Sequence, residues 1–268
     1  MKKIVEQTDN LNTIDTLKKD LLNLGVGPGM TLLVHSSLSS MGWVNGGGVA
    51  VAEALMDVVT AEGTIVMPAQ SSDWSDPSEW ESPAVPEGWW SSIRDTMPVY
   101  HPQTTPTSGM GKIVEVFRTY PGVIRSDHPA VSFAAWGKNK AAILSNHQLD
   151  FGLGEQSPLA RLYERNASVL FIGTDYQTNT CFHLGEYRAP HYKIEKKGAP
   201  IIEAGKRVWK EYQEIVFEVD IFNEIGQRFE ASHQVKKGKI GQAKSRLFLL
   251  SEAVDFSEQY FTDRRSQE

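Results

Sequence analysis

The sequence predicts a layered α/β/α-type domain with a central mixed sheet, a long Pro/Trp-rich insertion loop, and a C-terminal β-hairpin plus helices. Three observations carry that expectation. First, the apolar run Thr31-Leu32-Leu33-Val34-His35-Ser36, the triplet Gly46-Gly47-Gly48, a helical pattern over 49–59 and a second run, Thr64-Ile65-Val66-Met67-Pro68, read as strand, glycine loop, helix and strand. Second, another strand-like run, Val169-Leu170-Phe171-Ile172, is followed shortly by a polar octapeptide with helical spacing, Asn179 to Glu186. Third, residues 70–108 hold six prolines and four tryptophans, Trp74, Trp80, Trp89 and Trp90, with little periodicity. A loop of that length inside one domain is expected to be a lid or binding loop. The expected organisation is a single domain over residues 1–268, with 70–108 as an active-site lid or substrate loop.

The elements follow in order. Thr13 caps a first helix whose Ile14, Leu17, Leu21 and Leu24 keep helical spacing until Gly25, and Pro28-Gly29 then turns the chain into the first strand. After the insertion, 110–120 reads as a helix ending at Pro121-Gly122, 132–136 as a short strand and 138–146 as a short helix. Pro158 opens another helix over 159–165, as proline does at a first helical turn. Residues 206–220 alternate in β fashion and are expected to form a hairpin, while 223–231 and 251–261 are helical.

The 268 residues include 27 basic and 33 acidic side chains, for a net charge of −6, with 40% hydrophobic residues. This balance opposes nucleic-acid binding, which needs a basic face, and suits a cationic substrate. Cys181 is the only cysteine, so neither an internal disulfide nor a thiolate cluster forms, and a reducing compartment is expected. The opening residues lack the apolar core of a signal peptide, and no run approaches the ~18 apolar residues of a membrane span, so a cytoplasmic protein is expected.

The octapeptide concentrates the chemistry. In a helix starting near Asn179, Thr180, His183 and Glu186 lie at i, i+3 and i+6 and share a face. They supply a hydroxyl donor, an imidazole base and a carboxylate to orient it, although a carboxylate from elsewhere is an alternative. A metal site is not expected. His183 and Glu186 lack the second histidine of H-E-x-x-H, and His191 lies beyond Pro190. A thiol hydrolase using Cys181 is disfavoured too, because residues i and i+2 diverge by about 200° around a helix. The loop His35-Ser36-Ser37-Leu38-Ser39, followed by Gly46-Gly47-Gly48, stands between a strand and a helix N-terminus, where backbone amides and the helix dipole accommodate an anion.

These segments together resemble the aminoglycoside 3-N-acetyltransferase family, antibiotic N-acetyltransferases that use acetyl-coenzyme A. The resemblance runs through the serine and glycine loops, Gly63 to Pro68, Thr105-Pro106-Thr107-Ser108-Gly109-Met110-Gly111, Arg125-Ser126-Asp127-His128-Pro129, Ser132 to Gly137, Gly154 to Leu159 and Asn179 to Glu186. It covers most of residues 29–190. Gly185 stands where many relatives carry alanine.

The resemblance implies one acetyltransferase domain that binds acetyl-coenzyme A through His35, Ser36, Ser37, Gly46, Gly47, Gly48 and Val49, with Thr107 and Ser108 on the thiol side. Arg118 and Arg125 are the nearest cations for the phosphates, since a guanidinium pairs with phosphate in bidentate fashion. It also implies direct transfer to an amine, with His183 as base, Glu186 as orienter and Thr180 as donor to the developing negative charge. Asp73, Glu79 and Glu81 are expected to attract a cationic acceptor, because the insertion holds six carboxylates against Arg94 alone. His128 is a further substrate-side candidate. No metal, nucleic acid or membrane is expected as a partner, and a homodimer is one oligomeric expectation. A non-catalytic coenzyme- or partner-binding module of the same fold is the alternative.

Overall fold

Alternation within the central strands builds three layers. In the computed structural model, which describes residues 2–267, Leu32 and Val34 join one core cluster while Leu33, between them, joins another. Ile65 and Met67 divide from Val66 in the same way, as do Leu170 and Ile172 from Val169 and Phe171. Successive strand side chains point to opposite faces, so strands apolar at every position must be covered on both sides.

The strands are β1 Thr31–Ser36, β2 Thr64–Pro68, β3 Ile124–Arg125, β4 Phe133–Gly137, β5 Ser168–Ile172, β6 Ile194–Glu203, β7 Lys206–Ile215, β8 Lys236–Ile240 and β9 Ala243–Leu249. Seven of them form one mixed sheet in the order β3-β4-β2-β1-β5-β9-β8, and β6 and β7 pair separately. Strand β1 runs parallel to both β2 and β5, whereas β4 and β9 flank this trio in antiparallel fashion. Helices Ile14–Leu24, Gly47–Val59 and Gly111–Arg118 cover one face; Pro158–Glu164, Cys181–Arg188, Phe222–Ser232 and Leu250–Arg265 cover the other. No helix among the described residues is long and apolar enough to cross a membrane.

The first helix has the expected ends: Thr13 Oγ1 accepts the Thr16 amide at 3.3 Å, and Gly25 takes a left-handed φ of 100°. The C-terminal half departs more from expectation. Residues 206–215 form one hairpin strand rather than a whole hairpin, and the partner is 194–203, whose Glu195-Lys196-Lys197 hides the strand pattern. Strands β8 and β9 add two unexpected members to the main sheet, β8 being too charged and β9 too close behind it to stand out. The insertion contains a helix of its own, Trp90–Thr96.

The hairpin grips that insertion. Arg207 donates to the carbonyls of Arg94 and Met97 at 2.5 and 2.9 Å, and Lys197 pairs with Glu79 at 2.7 Å. At its base, the Ser108 amide bonds the Gln70 carbonyl at 2.8 Å, closing the two stalks against each other.

Elsewhere, helix Cys181–Arg188 lies directly on helix Leu250–Arg265. A Cβ at Gly185 would run into the Ser257 hydroxyl and the backbone of Val254 and Glu258, so glycine here is a condition of the packing. Alanine at this position would need the two helices to move apart.

Candidate active site

The parallel strands β1, β2 and β5 end on one side of the sheet, and β1 connects onward to β2 while β5 lies on its other flank. A crevice outside the carboxyl ends of parallel strands at such a branching point is where α/β sheets characteristically bind ligands. A cavity of about 910 Å³ opens there, lined by His35 and Ser36 at the end of β1 and Ser37 after it, Pro68 at the end of β2 and Gln70 after it, and Thr174 after β5. Helix Cys181–Arg188 presents Thr180 and His183 to it.

His183 and Glu186 are joined at 2.9 Å, Nδ1 to Oε2, across one helical turn. Both are buried, with Glu186 completely so. A carboxylate only accepts, so the ring carries its proton on Nδ1 and leaves Nε2 for substrate chemistry. The second carboxylate oxygen accepts the Glu218 amide at 2.6 Å. Phe217 and Phe222 flank the imidazole, with ring centroids at 4.3 and 4.9 Å, and limit its rotation. Thr180 is the residue before the first helical turn, and its side chain makes no capping bond. A base fixed by an ionisable partner and set beside a hydroxyl donor has the parts needed to accept a proton while negative charge develops nearby.

The serine and glycine loops sit against the same cavity. Gly47 lines it with φ +56°, and a Cβ there would meet nothing within 4 Å, so the backbone itself forms the wall. Gly46, with φ +85°, makes the turn into helix Gly47–Val59, and Gly48 brings that helix close to Lys112 and Val116 of the next. The Ser36 hydroxyl and His35 Nε2 are buried without a hydrogen-bond partner. Burial pushes the His35 imidazole down to about 3, so it is neutral. Val34, Leu38, Met110 and Val114 supply apolar wall, and Lys112 is the cation among the lining residues.

The remaining sequence candidates lie apart from this lining. Exposed Val49 is on the first turn of helix Gly47–Val59. Arg118 binds Glu115 at 2.8 Å and the Gln103 carbonyl at 3.0 Å, and Thr107 donates its amide to the same Glu115 at 2.6 Å. Arg125 is buried and spends its guanidinium on Ser132, Ser71 and the carbonyls of Thr105 and Ala69. Ser108 donates to Asp73 at 3.1 Å, Glu79 is paired with Lys197, and Glu81 is exposed. His128 lies beneath the hairpin: its Nδ1 accepts the amides of Ala130 and Val131 at 3.2 and 3.1 Å, and its Nε2 donates to the Leu149 carbonyl at 3.1 Å. Cys181 is buried, with its thiol pushed up by desolvation and donating to Asn179 Oδ1 at 3.2 Å, which removes it as a nucleophile. Among the described residues, no group of three or more His, Cys, Asp or Glu side chains is placed to hold a metal ion.

Residues 33–262 match the family model described as aminoglycoside 3-N-acetyltransferase. The chain belongs to that family. It is an acyltransferase by that membership. It is 59% identical to the SPbeta prophage-derived aminoglycoside N(3')-acetyltransferase-like protein YokD of Bacillus subtilis (strain 168), over 100% of this chain and 98% of that one. The crystal structure of YokD superposes with a TM-score of 0.99, covering 100% of both chains. Aminoglycoside N(3)-acetyltransferase VII of Streptomyces paromomycinus is 31% identical, over 99% of this chain and 96% of that one. A structure described as AAC-IIIb binary with CoASH has a TM-score of 0.85 at 29% identity, covering 95% of this chain and 98% of that one.

Lys112, Gln177, Val219 and Phe222 line the cavity without having been singled out in the sequence. Lys112 directly follows Met110-Gly111 of a segment that carried the family resemblance, and its position next to a helix start was the available signal. Val219 and Phe222 carried none, because their place depends on how the hairpin returns the chain.

Proposed function

We propose that this protein transfers the acetyl group of acetyl-coenzyme A directly to an amine of an aminoglycoside or similar amine-bearing small molecule, with His183 as general base. The observation that carries the reading is the 2.9 Å His183–Glu186 pair at the wall of a cavity that also holds the serine and glycine loops. The relatives' names and the coenzyme-bound AAC-IIIb structure support the same reading.

The residues present fit the coenzyme. An apolar passage past Val34, Leu38 and Met110 suits a pantetheine arm, the unpartnered Ser36 hydroxyl and bare Gly47 backbone suit close polar contact, and Lys112 with two helix N-termini suits phosphate. When bound, acetyl-coenzyme A supplies the thioester that donates the acetyl group. His183 Nε2 takes the proton from the attacking amine, and Glu186 holds the ring and compensates the charge it gains. Thr180 donates its hydroxyl where negative charge develops. The phenyl rings of Phe217 and Phe222 narrow water's access to the imidazole.

Acceptor attraction is assigned to Asp73 and Glu81. Glu79 is paired with Lys197, which also binds Glu195 at 2.9 Å, and Asp76 is held by Arg94 at 2.7 Å. Thiol release from acetyl-coenzyme A, measured across a panel of amines that includes aminoglycosides, tests the reading. Wild-type protein should release thiol with at least one amine, and His183→Ala should not. Release that is unaffected by every amine would overturn it.

A further inference from the structure

The acid end of the helix pair holds a second charged residue close to the reaction. Arg265, in the last turn of helix Leu250–Arg265, has a side chain only 5% exposed and donates Nη1 to the carbonyls of Glu186, Ala189 and Pro190 at 3.1, 3.5 and 3.3 Å. Those are main-chain acceptors at the C-terminal end of the helix that carries His183, where unsatisfied carbonyls favour a cation. Its Nη2 lies 2.6 Å from Glu218 Oε1 and 3.8 Å from Glu186 Oε1. Glu218 in turn gives its own amide to Glu186 Oε1. One guanidinium therefore faces the side of Glu186 turned away from His183. The stretch that matches the family model ends at 262, before this residue.

We propose that Arg265 is a positioning residue for acetyl transfer, holding Glu186 ionised and in line with His183; the proposal rests on the reading of His183 as general base. A fully buried carboxylate needs a cation or several donors to stay charged, and Arg265 is the cation on this side. The other charged or titratable groups near the pair are Glu218, with Arg264 at 3.7 Å from its second oxygen, Tyr187 on the same helix, and Glu214 on β7. Removing a positive charge from this set lets the coupled His183–Glu186 pair keep its proton to higher pH, whichever member carries it. The free base then appears later in a titration, and the acid limb of the rate profile moves up.

The experiment is a pH profile of kcat and KM for wild type, Arg265→Met, Arg265→Lys and Glu186→Gln, alone and combined with Arg265→Met, with folding checked by thermal midpoint. Arg265→Met should move the acid limb of kcat to higher pH and lower kcat roughly tenfold on that limb, with KM for acetyl-coenzyme A unchanged. Arg265→Lys, which restores the charge without the planar fork, should bring the limb back. In the Glu186→Gln background the Arg265→Met effect should be clearly smaller, because the guanidinium then acts only on the more distant imidazole. A folded Arg265→Met with the wild-type limb overturns the proposal, as does an equal shift in the Glu186→Gln background. If Arg265→Met does not fold, Arg265→Gln, which bonds the carbonyls without charge, takes its place with the same expectation. His183→Ala separates the two ideas. If it keeps wild-type turnover, the base assignment itself fails. If it loses turnover while the Met variant keeps its acid limb, Arg265 alone is misassigned.

Discussion

The His183–Glu186 and His128–His147 pairs are both largely buried, and only the first borders the cavity. His183 meets a carboxylate on its own helix and borders the cavity. His128 packs against His147, with ring centroids at 4.9 Å, beneath the hairpin, and their partners are main-chain amides and carbonyls plus the Ser126 hydroxyl. Burial pushes His128 down to about 3 and His147 to about 4, with each other's proximity adding to the effect on His128. Burial is common to both pairs. What separates them is a buried carboxylate on one side of the ring and an opening on the other. Neutral partners make His128 a bracket between loops; a carboxylate partner and an open side are what the proposed base role of His183 needs.

The contrast breaks most directly at His183. His183→Ala should lower kcat by about 10²–10⁴ per folded molecule while leaving coenzyme affinity nearly unchanged. Steady-state kinetics on the best acceptor decide it, and near wild-type turnover would reduce His183 to the same status as His128.

The opposite signature is expected at His128. His128→Ala leaves two amides and a carbonyl without partners in a closed space and should cost about 3 kcal/mol of stability, read from denaturant midpoints, with kcat per folded molecule unchanged. The pair should also set a pH dependence. Each imidazole is neutral in the fold but takes up a proton in the unfolded chain below 6.5, so unfolding binds protons and stability falls as pH drops from 6.5 toward about 4. Replacing His147 by Gln should flatten that part of the curve; an unchanged slope would mean the buried rings are not held neutral.

Two smaller effects test the open side of the His183 site. Gly47→Asn tolerates a left-handed φ, so it adds bulk with little backbone strain, and calorimetry should show coenzyme A binding weakened about tenfold. Equal affinity would place the coenzyme away from this wall. Smaller still, Asp73→Asn with Glu81→Gln should raise KM for a polycationic acceptor about twofold and reduce its salt dependence, because exposed charges act mainly on encounter. Glu79→Gln should do less, since Glu79 is held to Lys197 at 2.7 Å.

Local sequence carried much of this architecture. Strands buried on both faces announce themselves as continuous apolar runs, which is why β1, β2 and β5 were readable almost to the residue. The spacing of Thr180, His183 and Glu186 likewise implies one helical face, and the 2.9 Å contact realises it. Long-range pairing was harder to read. Strand β6 is rich in lysine and glutamate on an exposed hairpin, and β8 sits at the sheet edge where charge is common, so neither has an apolar pattern to show. The insertion's carboxylates look alike in sequence, and only the fold reveals that Arg94 and Lys197 have taken Asp76 and Glu79. Arg265 stands far along the chain from Glu186, with nothing in its neighbourhood to indicate the connection.

The bare backbone of Gly185 against Val254, Ser257 and Glu258 has a consequence in time as well as space. A ribosome releases the chain from its N-terminus, so the serine loop, the central strands and the histidine helix all emerge before residues 250–265 exist. Until residues 250–265 are made, the helix that carries His183 lacks the surface against Gly185, and no guanidinium from residue 265 faces Glu186. A chain lacking residues 250–265 would keep the strands of the sheet but lose the packing against Gly185 and the guanidinium that faces Glu186.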